Sequence, residues 1–130
     1  MTRMLPDRRS LRVLAVDDNI DIADGLAAIL RLWGYIVRTA NDGVAALEAA
    51  SSFSPDVVLL DLGLPDIGGL EVARRLRRAP EDRIPLLVSM SGFERMHSDE
   101  PGFHHHMVKP IDLDSLRTLL AGSVRVRAAR

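Results

Sequence analysis

Apolar residues fall along the chain in two alternating patterns. Short, largely apolar runs occupy residues 11–16, 35–39, 57–60 and 85–90, and each predicts a strand, that at 57–60 buried on both faces; residues 103–108, with three histidines between Phe103 and Met107, are read as a fifth. Between them, apolar residues recur every three or four positions, the spacing of a helix with one face on a sheet. The first such stripe is Ile22, Leu26, Ile29, Leu30 and Trp33, with Asn19 or Asp21 placed to cap it and Gly34 to stop it. Asn41-Asp42-Gly43 opens a second helix through Val44, Leu47 and Ala50. Gly68-Gly69 leads into a third, with Leu70, Ala73 and Leu76 inward and Arg74, Arg75, Arg77 and Arg78 outward on a solvated face, and Pro80 ends it. Asp112 caps a last helix striped by Leu113, Leu116, Leu119 and Leu120. Residues 93–102 are polar and weakly helical.

Strands alternating with helices predict an α/β fold, a doubly wound five-stranded parallel sheet with right-handed crossovers. The expected organisation is a flexible leader at 1–10, one domain at 11–120 and a short basic tail at 121–130. In such a sheet, ligands bind beyond the carboxyl ends of the strands. There the chain places Asp17 and Asp18 after the first strand, Asp61 after the third, Ser91 after the fourth and Lys109 after the fifth. Three carboxylates on one rim repel unless a cation neutralises them. Oxygen donors without His or Cys suit Mg²⁺. That ion together with Lys109 would attract a tetrahedral anion, with Asp61 as the nucleophile on phosphorus and Ser91 as a hydrogen-bond donor to it.

Composition narrows the reading further. A net charge of −1 gives no general reason to expect nucleic acid or an anionic membrane. With no cysteine, disulfides and thiolate metal sites are excluded. No apolar run approaches the roughly 18 residues of a membrane span, so a cytoplasmic protein is the default. Among 17 basic residues Lys109 is the one lysine, as expected where a compact ammonium fits and a guanidinium fork does not.

Taken together, Leu14-Ala15-Val16-Asp17-Asp18-Asn19, Leu60-Asp61-Leu62-Gly63-Leu64-Pro65 with Gly69, Ser91-Gly92 and Val108-Lys109-Pro110 resemble the receiver domain of bacterial two-component response regulators, from Leu11 to Leu120. The wording around Asp61 and from Phe103 to Pro110 is most similar to receivers attached to hybrid sensor kinases. The resemblance implies the flavodoxin-like strand order 2-1-3-4-5. It implies that Asp61 accepts a phosphoryl group from a phosphohistidine on a sensor histidine kinase or histidine phosphotransfer protein. It also implies Mg²⁺ on Asp17, Asp18, Asp61 and the backbone carbonyl of Gly63, a switch hydroxyl at Ser91, a phosphoryl partner in Lys109 and a cis Lys109-Pro110 peptide. Output would run through docking to a downstream protein or through a phosphorelay, with a homodimer as a further option. The domain would promote only its own phosphorylation and dephosphorylation.

Two features depart from the family pattern. Only 18 positions separate Ser91 from Lys109, about one helical turn fewer than usual, so the fourth helix is expected to be shortened or irregular. His106 stands where the family carries a switch Tyr or Phe, adding a pH-sensitive group. His104, His105 and His106 in a row invite a metal reading, but all three cannot ligate one ion, because successive strand side chains point to opposite faces. Three other classes compete. An interaction module that works without phosphorylation is argued against by the intact acid set. An aspartate-nucleophile phosphatase needs a second aspartate two residues after Asp61, and that residue is Gly63. A nucleotide-binding Rossmann domain needs a glycine-rich turn where this chain has Asp17-Asp18-Asn19.

Overall fold

The computed structural model describes residues 11–92 and 102–128, with side chains as far as residue 123. Its elements run β1 (Arg12–Val16), α1 (Ile20–Leu32), β2 (Ile36–Ala40), α2 (Gly43–Phe53), β3 (Val57–Asp61), α3 (Gly68–Leu76), a short 3₁₀ turn (Glu81–Arg83), β4 (Leu86–Ser91), β5 (His105–Val108) and α4 (Leu113–Ala128). All strand pairs are parallel, and the order is β2-β1-β3-β4-β5, as the resemblance implied.

The two-residue period of the strands splits the core into two layers. Val13, Ala15, Val57, Leu59, Val88 and Met90 pack on one face against Leu26, Ala27 and Leu30 of α1 and Leu116 and Leu120 of α4. Leu14, Val16, Val58, Leu60 and Leu87 pack on the other against Ala46 of α2 and Val72 and Ala73 of α3. Every residue of β3 is buried, which is why its sequence shows no alternation. Each fully buried Val or Leu contributes about 1.5–3 kcal/mol, so β3 is both the geometric and the energetic centre of the sheet.

Helix starts follow the sequence signals. Asn19 caps α1 by accepting from the Ile22 amide at 3.1 Å, and Asp42 caps α2 by accepting from the Ala45 amide at 2.7 Å. Asp112 accepts the Ser115 hydroxyl at 2.6 Å at the entry to α4. Gly34, at φ 103°, ends α1 in the left-handed conformation that glycine adopts without strain.

Four residues of the predicted stripes lie outside instead. Ile22, Val44, Leu70 and Leu113 are 45%, 51%, 49% and 39% exposed. All four sit in the first turn of their helices, beyond the carboxyl ends of the strands, where no sheet lies beneath them. Ala23, Ala46, Val72 and Leu116 take the inward positions. The last helix also continues through residues 121–128, past the Leu120 boundary expected for the domain, and Ser123 Oγ donates to the Leu119 carbonyl at 3.0 Å. The leader at 1–10 and the expected irregularity at 93–101 fall outside the described residues.

Candidate functional site

The parallel ladder delivers four strand ends to one rim. β1 is paired on both sides, to β2 and β3, so Asp17 follows it at a fixed height, and the Asp17 amide extends the ladder by donating to the Ala40 carbonyl at 3.1 Å. The Leu62 amide donates to the Met90 carbonyl at 3.0 Å, and the Lys109 amide to the Ser91 carbonyl at 2.7 Å. Asp61, Ser91 and Lys109 are thereby fixed relative to one another by backbone bonds before any side-chain contact is counted. The Lys109-Pro110 peptide is cis.

Asp17 and Asp61 are 2% and 6% exposed, whereas Asp18 is exposed. One oxygen from each of the three carboxylates lies within 4.8 Å of the others, the one such group of potential metal ligands among the described residues. Lys109 Nζ reaches across to Asp17 Oδ2 at 2.7 Å and Asp61 Oδ2 at 3.4 Å. The Asn19 amide donates to Asp17 Oδ1 at 3.0 Å and the Gly63 amide to Asp61 Oδ1 at 3.1 Å. Gly63 itself is exposed beside this cluster.

Burial pushes the Asp61 carboxyl above the usual carboxylate range. The Gly63 amide and the Lys109 charge oppose that shift, and the Asp17 charge adds to it. For Lys109, burial favours the neutral amine, but the hydrogen bond to Asp17 and the charges of Asp61 and Asp17 outweigh it and raise its pKa. One ammonium facing three acids leaves an excess of negative charge around oxygen donors only, a donor set that fits a hard divalent cation such as Mg²⁺.

Close backbone packing holds the loop beneath Asp61. A Cβ on Gly69 would lie 2.5 Å from the Asp61 carbonyl oxygen, so only glycine fits there. Further along, Asp66 accepts from the Gly43 and Val44 amides at 2.8 and 2.9 Å, tying the β3–α3 loop to the start of α2. These bonds, led by the one from Gly43, lower the pKa of the Asp66 carboxyl.

Ser91 is 5% exposed; its Oγ lies 3.4 Å from the Gly92 carbonyl and 3.3 Å from His106 Nε2. The other ring nitrogen of His106, Nδ1, is hydrogen-bonded to Ser89 Oγ, on a residue with no exposed surface. Sequence reasoning passed over Ser89 and Asp66. The signal for Ser89 was a hydroxyl inside an apolar strand, two residues before Ser91 and so on the same face. His105 is exposed, and His104 Nδ1 accepts from the Leu87 amide at 2.9 Å.

The fold recurs in known proteins. The family model described as the response regulator receiver domain matches residues 13–121. The response regulator MprA of Mycobacterium leprae is 37% identical over 118 residues, covering 88% of this chain and 51% of the relative. The chain thus spans about half the length of the curated relatives it matches. Among solved structures, a CheY-like response regulator receiver domain from Methylobacillus flagellatus superposes with a TM-score of 0.79 at 32% identity, covering 88% of this chain and 99% of that one. The response regulator TrrA of Thermotoga maritima, solved in complex with Mg²⁺-BeF, gives a TM-score of 0.79 at 30% identity over 88% of this chain and 99% of its own. A family match across residues 13–121, with relatives above 30% identity and one strand order, places the chain in the response regulator receiver domain family.

Proposed function

We propose that the chain is a phosphoacceptor switch of two-component signalling, with Asp61 receiving a phosphoryl group from a phosphohistidine on a partner kinase or phosphotransfer protein. The observation that carries the reading is the joint placement of Asp17, Asp18 and Asp61 oxygens within 4.8 Å and of Lys109 Nζ at 3.4 Å from Asp61. An Asp61 oxygen forms the new O–P bond as the donor P–N bond breaks, and the released imidazole takes a proton from solvent. Lys109, already between Asp17 and Asp61, offsets charge on the phosphoryl oxygens. Ser91 donates a hydrogen bond to one of them. Asp17, Asp18, Asp61 and the Gly63 carbonyl would hold Mg²⁺, which when bound neutralises the acids and the incoming anion. The likeness to TrrA, whose structure is a Mg²⁺-BeF complex, supports that donor set.

Turnover of outside phosphate esters is disfavoured, because Gly63 offers no acid or base two residues after the nucleophile. The domain promotes its own phosphorylation and dephosphorylation and is otherwise no enzyme. No helix among the described residues is long and apolar enough to cross a membrane. We place the chain in the cytoplasm, with output through docking to another protein or through a phosphorelay. The wording around Asp61 and Lys109 favours attachment to a hybrid sensor kinase. Incubation with Mg²⁺ and acetyl phosphate, read by intact mass, should give one phosphoryl adduct on the wild type and none on Asp61→Asn. An unmodified wild type would support a silent interaction module, and steady phosphate release from varied esters would support a phosphatase.

A further inference from the structure

Ser89, His106 and Ser91 form a chain of hydrogen bonds whose proton count can be closed. β4 and β5 pair with Ser89 directly opposite His106, and Ser91 lies two residues further along on the same face. His106 Nδ1 meets Ser89 Oγ, and Nε2 meets Ser91 Oγ at 3.3 Å. A hydroxyl has one proton to give. The Ser91 hydroxyl has a second acceptor in the Gly92 carbonyl, 3.4 Å away, which leaves its lone pair open to a ring N–H at Nε2. An imidazole with its one proton on Nε2 accepts at Nδ1, where the Ser89 hydroxyl is placed to donate. Ser89 is fully buried, and its hydroxyl makes one hydrogen bond among the described residues, the one to His106.

We propose that Ser89 is a positioning residue for the phosphoryl site: it donates to His106 Nδ1, fixes the ring as the Nε2–H tautomer and makes His106 a donor to Ser91 Oγ. The Ser91 lone pair is then occupied by the ring, and its single proton is left to turn from the Gly92 carbonyl to a phosphoryl oxygen on Asp61. Swinging His106 outward would strand the Ser89 hydroxyl in an apolar layer, so the same bond also holds the ring inward. This inference rests on the phosphoacceptor reading, since it assigns Ser91 a phosphoryl oxygen to bind.

The test uses the full chain, its Ser89→Ala and His106→Phe variants, and the double variant. Long-range proton–nitrogen NMR reads the His106 tautomer, with the ring signals assigned by their loss in His106→Phe. Affinity for beryllofluoride with Mg²⁺, a stand-in for the phosphoryl group, is read from amide shifts. The wild-type ring should be the neutral Nε2–H form, and Ser89→Ala should lose that fixed tautomer. Ser89→Ala should also weaken beryllofluoride roughly fivefold, the worth of about one hydrogen bond, but change nothing further in the His106→Phe background. A ring unchanged by Ser89→Ala, or equal weakening in both backgrounds, overturns this inference alone. A wild type that takes up no beryllofluoride overturns both it and the function it rests on.

Discussion

Replacing Asp61 by Asn should make the metal-free protein more stable, although Asp61 sits at the centre of the site. The substitution keeps the shape of the side chain and an acceptor for the Gly63 amide, and it removes only the charge. At an effective dielectric constant of 20, Lys109 at 3.4 Å attracts that charge by about 5 kcal/mol. Asp17, within 4.8 Å, repels it by at least about 3.5 kcal/mol, and the exposed, better screened Asp18 adds a smaller share. These contributions nearly cancel. Burial, the largest influence on the Asp61 pKa, then decides the sign, and we expect Asp61→Asn to gain about 1–2 kcal/mol. Because the folded protein holds the Asp61 proton more tightly than the unfolded chain does, the penalty is fully present above the raised folded pKa. It shrinks as pH falls and vanishes below the ordinary value of 3.8. Urea denaturation of both proteins in chelator, at neutral pH and near pH 3, measures it. In Mg²⁺ at about a hundred times its Kd the wild type should recover about 2.7 kcal/mol, and the order should reverse. A variant less stable than wild type in chelator at neutral pH, with no gain by wild type from Mg²⁺, would refute the electrostatic account.

Lys109→Met should cost about 2 kcal/mol at neutral pH, since it strands Asp17, 2% exposed, without its 2.7 Å partner. The Lys109 pKa is raised on folding, so this difference is fully present below its ordinary value of 10.5 and is lost as pH climbs through the folded value; thermal melts of both proteins across that range check it. Gly69→Ala should destabilise by about 2–3 kcal/mol and slow Asp61 phosphorylation, because the new methyl meets the Asp61 carbonyl at 2.5 Å and backbone must shift. A Gly69→Ala protein with wild-type melting temperature and wild-type adduct yield would count against that close approach.

Much of the fold was legible because parallel strands buried on two faces are written as apolar runs, as in Val57-Val58-Leu59-Leu60. The acids, the hydroxyl and the lysine stood out because each interrupts or ends such a run. What escaped has physical reasons. Ile22, Val44, Leu70 and Leu113 match the helical period, but periodicity carries no information about how far a helix overhangs its sheet. Asp66 reads as an ordinary turn residue, and its bonds to Gly43 and Val44 join segments more than twenty positions apart. Ser89 looked like a polar lapse in a strand until the register set it opposite His106.

The Asp66 bracket has a consequence for observing the domain at work. Two peptide hydrogens at the head of a neighbouring helix are shielded only while the segment downstream of the phosphoacceptor keeps its shape. Deuterium uptake at Gly43 and Val44 therefore gauges the condition of a loop to which they do not belong, and it does so without a label near the acidic cluster.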